Sequence, residues 1–526
     1  MAGTTITKYN SVNVTLGRAM PAWVNDPDDQ VRVAAYDAYD DMYANVPTTF
    51  AIAMRGTNDA PLYVPSSRRI IEATNRYLGV GWNWTITSAA TNAQEAEAAR
   101  AWLSGCYTIN RVPAKYFSFK RGMLKRGDAV FHIFADLSAP AGQRIRIVEI
   151  NPRTFFPIED ITDPERLLGV YIVNLVTVGE DAETIAMRQE YRYQLDQTGQ
   201  RRVFSQLRFF EVNAWDDRWP GHPALKELPV PEEFNQPQMA AVLAGGLLPA
   251  SVNKLPVYHA ANNRQDEERF GTSEISGMET LIAGLNQAAS DEDIALALQG
   301  LGMYVTTAPR PVDGDTGEET DWFIEPGYVL ELKEGQVFQR VAGLDKLQPF
   351  QEHLDKVSQW MDESAGLSAV AVGNVDATVA ASGVALRLDM APILAKNAEK
   401  EGELMTVLDE MGNDLLQMWA AVDGAVIADD ISVSNGFDDP LPIDRNGIVT
   451  EVTTLVKQGL MSKEYAVQVL KEKLGYNFPT NMLDQITADA DAEAARVNAE
   501  LAAGVNPDGS TDPTDNSGSD QFGGAQ

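Results

Sequence analysis

The residues able to do chemistry are few and scattered. The four histidines, His132, His222, His259 and His353, sit far apart, and none belongs to HExxH or another close pair, so no metal-ligand spacing is present. Each is expected to be structural. Cys106 is the single cysteine, without local context for a nucleophile, and no GxSxG elbow occurs. "LQGLGMY" holds a GxG without a third glycine, and GxxxxGK(S/T) is absent, which leaves no nucleotide-binding signature. Acid runs such as "DEDI" and "DDQ" read as solvated helix starts, where the positive end of the helix dipole favours carboxylates. Catalytic, cofactor-binding and metal-binding residues are therefore all expected to be none, and the chain is not expected to be an enzyme. The one dense cluster is basic: Arg111, Lys115, Lys120, Arg121, Lys125 and Arg126. It reads either as a solvated helix face with Tyr116, Phe119 and Met123 turned inward, or as a patch facing phosphate or a partner.

The bulk numbers narrow the function classes. A chain of 526 residues is too long for one core. Its composition, 44% hydrophobic and 22% charged, is ordinarily globular. A formal charge of −33 repels phosphate, which argues against tight static binding of nucleic acid by the whole molecule. One cysteine excludes an intrachain disulfide and fits a reducing compartment. The first residues, "MAGTTITKYNSVNVTLGRAM", lack the pattern of a signal peptide, and no run of about 18 apolar residues occurs, so a soluble protein made in a cytoplasm is expected.

The elements that position these residues follow from periodicity. "DDQVRVAAYDAYDDMY" places Val33, Tyr36, Tyr39 and Tyr43 at helical spacing. "TNAQEAEAARAWLSG" predicts a helix stopped by Gly105, and "VPAKYFSFKRGMLKRGD" a second one with Pro113 in its first turn. "AVFHIFADL", "QRIRIVEI", "GVYIVNLVTV", "RQEYRYQLD" and "QRRVFSQLRFFEV" predict strands of an α+β region. Ile275, Met278, Ile282, Leu285 and Ala289 form an apolar stripe on a predicted helix over 273–289, with Ser290 and Asp293 capping a short helix after it. A β-rich insertion with Pro-Gly and Asp-Gly turns comes next. A second helix over 346–365 carries Leu347, Phe350, Leu354, Val357 and Met361, and Gly366 stops it. Apolar residues on more than one face of these two helices (Ile275, Leu281, Leu354, Val357) suit packing against further copies, although the sequence alone favours an ordinary hairpin with a side domain. "LSAVAVGNVDATVAAS" lacks helical periodicity. From the cap Ser382 a helix of roughly 60 Å runs to about Ala421, kinked at Pro392, which cannot bond the Leu388 carbonyl. "ISVSNGFDDPLPID" reads as an extended loop. "VTEVTTLVKQG" and "SKEYAVQVLKEKLG" form a short helical pair, with Ser462 as cap and Gly459 and Gly475 as stops. The tail 501–526 is expected to be disordered.

The order of these pieces resembles the portal proteins of tailed bacteriophages, most nearly the SPP-one-type family. The pieces that carry the resemblance are "INPRTFFPIED", "NKLPVYHAANNRQDEERFGTSEIS", "SGVALRLDM" and "LVKQGLMSKEYAVQVL", in that order, over roughly residues 30–490. The resemblance implies a mixed α+β, multi-domain portal fold. Its parts would be a wing over 1–271 and 422–449, stem helices over 272–292 and 346–366, and a clip over 293–345. A tunnel loop over 367–381, a long kinked spine helix over 382–421 and a crown over 450–500 complete it. It further implies a homo-oligomeric ring of about twelve at a capsid vertex of the virion, assembled in the host bacterial cytoplasm. Double-stranded DNA would pass through without sequence specificity. The other implied partners are the terminase large subunit, a head-tail adaptor, and major capsid and scaffolding proteins, with no membrane. Val370, Val372, Asn374, Val375, Asp376 and Thr378 would face DNA from the tunnel loop, which carries no lysine or arginine. Lys346, Lys356 and Glu352 would lie along the channel. Two readings compete: a monomeric adaptor whose long helix is a strut, and a hydrolase that leaves no motif.

Overall fold

The computed structural model describes residues 27–54, 60–160, 162–179, 183–211, 227–235, 240–265, 268–301, 303–313, 315–322, 332–341, 348–373, 383–441, 445–476, 478 and 482–502. Asn374, Val375, Asp376, Thr378, Lys346, Leu347, His222, Ser382 and residues 503–526 of the tail lie outside the described residues. The chain is mixed helix and sheet. It divides into two compact units, Met1–Pro440 and Leu441–Gln526.

Helices α1 (Pro27–Ala44), α2 (Ser66–Tyr77), α3 (Ala93–Ile109) and α4 (Val112–Arg126) open the first unit. Val33, Tyr36 and Tyr39 of α1 are buried, as their spacing predicts. The stop expected at Gly105 is corrected: α3 runs on to Ile109 and ends at Asn110, because Cys106 and Tyr107 continue its buried face. Pro113 does sit in the first turn of α4. Strand β1 (Asn83–Thr87) lies between α2 and α3.

After α4 come β2 (Asp128–Ala135), β3 (Ile145–Ile150), β4 (Phe155–Asp160), β5 (Asp163–Val178), β6 (Glu183–Leu195) and β7 (Arg201–Glu211). Short β8 (Glu227–Leu228), α5 (Ala240–Ala244) and β9 (Gly246–Leu247) follow, then β10 (Val257–Ala261). Three strands pair in the order β10-β2-β3, and β4 to β8 form an antiparallel meander with β9 on β7. The inner face of the meander buries Phe155, Val170, Ile172, Tyr191 and Val203 against Leu255, Val257 and Val130. Phe119 of α4 stacks on Phe131 of β2 at 4.1 Å between centroids, which locks that helix on the small sheet.

The long α6 (Glu279–Leu301) leads into β11 (Met303–Thr306), which pairs antiparallel with β12 (Phe338–Val341), and α7 (Gln348–Ser364) returns. Two expectations change here. Residues 274–277 form turns rather than helix, so the first of the two helices begins at Glu279. It also runs unbroken through Ser290, whose hydroxyl bonds the Asn286 carbonyl at 2.7 Å instead of starting a new helix. Ile282 and Leu285 are buried, and α6 packs on α7, where Val357 and Met361 are buried.

The single rod expected over 382–421 is two helices, α8 (Gly383–Asp389) and α9 (Ala391–Asp423), separated at Met390. Pro392 occupies the first turn of α9, where its missing N–H costs least. Along α9 the buried residues Ile393, Asn397, Lys400, Leu404, Val407, Leu408, Met411 and Leu415 trace one stripe. Trp419 stacks on Trp102 of α3 at 4.7 Å, which fixes the far end. "ISVSNGFDDPLPID" is not wholly loop, because β13 (Ser432–Gly436) pairs with β1. Asn413 of α9 accepts from the Val433 N–H at 2.9 Å, and the absent side chain of Gly412 admits Val433.

In the second unit, α10 (Arg445–Lys457) packs on α11 (Lys463–Leu474). Ser462 caps α11 by accepting from the Tyr465 N–H, and Gly459 and Gly475 take positive φ as stops. A further helix, α12 (Met482–Ala502), was not expected.

His132 on β2 carries a pH consequence. Burial pushes its imidazole down to about 4. Between about pH 6.5 and 4 the unfolded chain takes up a proton that the folded chain refuses, so stability falls as pH drops through that window, by at most about 3 kcal/mol. Urea unfolding followed by tryptophan fluorescence at several pH values is expected to show that acid-side slope. His132→Gln, which keeps a polar group near the Tyr191 hydroxyl, is expected to flatten it.

Candidate functional site

The region where α9, α2, α6 and α7 meet is held by buried charge. The turn 271–277 ahead of α6 carries Glu274, whose backbone N–H donates to the Leu124 carbonyl at the end of α4. Its carboxylate meets Lys396 Nζ at 2.5 Å and Lys400 Nζ at 3.1 Å, both from the first turns of α9. The side chains of Glu274 and Lys400 are each 3% exposed. Lys396 also donates to the Ala365 carbonyl just past α7 at 2.6 Å and to Thr74 Oγ1 of α2 at 3.3 Å. Lys400 donates to Oδ1 of both Asn262 and Asn263. Burial alone would push the Glu274 carboxyl up, but the two ammonium groups outweigh it and hold it below the usual glutamate value. Burial pulls Lys400 down, with Glu274 opposing. One carboxylate thus joins the roots of both long helices to α9 and α2.

A second buried cluster lies next to it. Asp128 is fully buried; it accepts from the Tyr36 hydroxyl at 2.6 Å and the Gly271 N–H at 3.0 Å, and lies 2.7 Å from His259 Nε2. Arg32, 1% exposed, donates to the carbonyls of Pro152 and Phe155 and lies 4.0 Å over the Phe270 ring. Two of the quoted stretches, "INPRTFFPIED" and "NKLPVYHAANNRQDEERFGTSEIS", are therefore brought together around Arg32, Asp128 and Glu274.

The basic cluster of α4 is turned inward. Lys120 is buried and donates to the Leu78 carbonyl, its ammonium pulled down to about 8 by burial. Arg121 pairs with Glu72, and Lys125 and Arg126 pair with Asp40. Tyr116, Phe119 and Met123 are buried. Most of its charges meet partners within the chain, Lys115 at the Ile147 carbonyl among them, while Arg111 is exposed. No group of His, Cys, Asp and Glu able to hold a metal is found among the described residues.

The described residues named from the resemblance fall on the turn over 368–373, on α7 and at the start of α9. Val370 and Val372 are half-buried in a turn over 368–373, where the Ser368 hydroxyl lies 3.5 Å from Met390 Sδ. Glu352 and Lys356 are exposed on α7; Glu352 accepts from Gln348 and Lys356 donates to Gln359. Pro392 is exposed at the start of α9. Reading the sequence alone missed Glu274, Lys396, Lys400, Asp128 and Arg32. The available signal was a lysine pair at i, i+4 on the otherwise apolar stripe of α9.

A model of phage portal proteins matches residues 86–495, most of the chain. The chain belongs to the SPP1 Gp6-like phage portal protein family. That family is structural. Comparison with curated protein sequences gives no match. Among solved structures, a chain from the virion of a native gene transfer agent particle aligns with a TM-score of 0.40 at 11% identity, covering 88% of this chain and 96% of that one. A chain from the neck of the empty particle, computed with C6 symmetry, gives 0.40 at 12% identity over 88% and 96%. One from the neck of the native particle, with C12 symmetry, gives 0.37 at 12% over 86% and 96%. No described helix is long and apolar enough to cross a membrane.

The turn that delivers Glu274 leaves no room at Gly271: an added Cβ would stand 2.2 Å from the Asn262 carbonyl oxygen and 2.4 Å from that of Gly127. Gly271→Ala is expected to cost about 3 kcal/mol or more, since backbone must move. Gly284→Ala on α6, with nothing within 4 Å, is expected to be neutral or to stabilise by about 0.5–1 kcal/mol. Thermal unfolding of the two variants beside wild type checks the contrast.

Proposed function

We propose that this chain forms a portal ring of about twelve copies at one capsid vertex, the conduit for double-stranded DNA during packaging and ejection. The observation that carries the reading is the family match over residues 86–495. The packed pair α6 and α7 supports it. The turn just ahead of α6 and the end of α7 line one polar cavity of about 600 Å³, with Met278, Ser364 and Lys396 in its wall, and β11 and β12 pair antiparallel where the two helices are joined. In this reading α6 and α7 are the stem, the insertion is the clip that docks the terminase large subunit and a head-tail adaptor, and 367–381 is the tunnel loop. The spine is α8 with α9, the wing comprises 1–271 and 422–449, and the crown covers 450–500. Capsid and scaffolding proteins surround the ring, which assembles in the host cytoplasm.

The physical logic favours a passive conduit. A wall drawn from a chain of charge −33 gives up the counterion release that makes basic proteins grip duplex DNA, so the polymer slides. Val370, Val372, Asn374, Val375, Asp376 and Thr378 would offer it only small, uncharged contacts, apart from one acid, while Lys346 and Lys356 would supply brief phosphate contacts.

Native mass measurement and negative-stain imaging of the purified chain test this. A closed ring with a central hole and a mass near twelve times 57.4 kDa is expected. A chain that stays at 57.4 kDa across salt and concentration contradicts it and favours the adaptor reading.

A further inference from the structure

The outer face of the β4–β8 meander gathers arginines and aromatic rings on an otherwise acidic chain. Strand register puts Arg188 and Arg192 of β6 beside Arg208 and Phe204 of β7, with Val173 and Tyr171 of β5 next to Arg188 and Glu190. The guanidinium of Arg188 lies 4.6 Å from the Tyr171 ring and 4.4 Å from the Phe210 ring, and that of Arg192 lies 4.8 Å from Phe204. Beneath them Phe156, Val173, Ala186 and Phe210 form a buried cluster made of sheet residues alone. Guanidinium planes stacked on aromatic rings keep their N–H edges directed outward, ready for carboxylates.

Charge on this face is not balanced. Glu190 lies 3.8 Å from Arg188 and 3.4 Å from Arg192, Glu227 pairs with Arg208, and Asp196 lies 3.6 Å from Arg202. Four arginines thus meet three carboxylates, on a chain whose net charge is −33. Arg202 also donates to the Leu248 carbonyl, and Nε of Arg188 and of Arg202 are buried without a partner, so the charge open to another molecule is that of Arg192 and Arg208. Arg192 is 52% exposed and Arg208 31%, and Leu175 on the same face is 51% exposed.

We propose that this arginine-aromatic face docks an acidic surface of a second copy of the chain. A cyclic ring needs a heterologous contact, two different patches that complement one another on each subunit. Here one local patch is net positive, whereas acids outnumber bases 75 to 42 over the chain, so its natural complement is the remaining surface of an identical neighbour. Rim arginines stacked on aromatics suit such an interface, since they combine buried area with directional pairing. The inference rests on the ring reading above.

The test is Arg192→Glu combined with Arg208→Glu, read by mass photometry over a concentration series beside wild type, with far-UV circular dichroism as the fold control. The variant is expected to keep its spectrum and to dissociate at protein concentrations at least tenfold higher than wild type. Arg192→Gln, at the most exposed of the four, is expected to shift the series in the same direction and decides the matter if the double variant does not fold. A ring that survives these substitutions unchanged overturns this inference and leaves the ring reading standing. A wild-type chain that never assembles overturns both. Duplex DNA binding by wild type that the variants lose while their rings persist also overturns it, and assigns the face to nucleic acid.

Discussion

One buried carboxylate, Glu274, ties the roots of α6 and α7 to α9. Glu274 pairs with two ammonium groups on successive turns of α9, and the same lysines reach α2, the end of α7 and the Asn262–Asn263 turn. Burying three charges is expensive, and their mutual attraction repays it only when geometry is tight and the remaining donors are satisfied. Both conditions hold for Lys400, whose ammonium has Glu274 and two asparagine oxygens around it. A greasy contact at this position would be as stable but less particular about direction. The ionic one fixes the angle at which two long helices leave the body.

That fixed angle matters for a ring. Small rotations at the root of α6 and α7 become large displacements at the β11–β12 end, because a 23-residue helix spans about 35 Å. Subunits whose helical pairs left the body at variable angles would not close on themselves. The turn over 368–373 packs against Met390, and α8 is tied by the Arg387–Asp439 pair, whose side chains are 59% and 43% exposed. Exposed pairs of that kind contribute little.

Much of the fold was legible because its signals are local. The period-two runs from Ala129 to Glu211 gave the meander, and the apolar spacing of Leu354, Val357 and Met361 gave α7. Ser462 and Gly475 announced their caps. What failed was set by distant partners. Gly105 reads as a stop, yet Cys106 and Tyr107 carry the buried face of α3 onward. "SVSNG" has no strand signature and becomes β13 only because Asn413 and Gly412 of α9 receive it next to β1. Helix α12, rich in alanine and acids, lacks the apolar stripe that draws attention to a helix, although its propensities are high. The central cluster escaped for a similar reason. Glu274, Lys396 and Lys400 are ordinary charged residues until the chain brings positions more than 120 apart into contact. One of the stretches that pointed to the family carries Glu274, Asn262 and Asn263 of this cluster, without revealing why they matter.

A double-mutant cycle on Glu274 and Lys400 tests that dependence most directly. Glu274→Gln and Lys400→Met, alone and combined, would be compared by urea unfolding at neutral pH. Each single change is predicted to cost about 3–5 kcal/mol, because it strands a buried charge. The pair is predicted to lose about 1–3 kcal/mol less than the sum. Strict additivity, or single changes that cost under about 0.5 kcal/mol, would contradict the claim that this carboxylate holds α9 to the root of the helical pair.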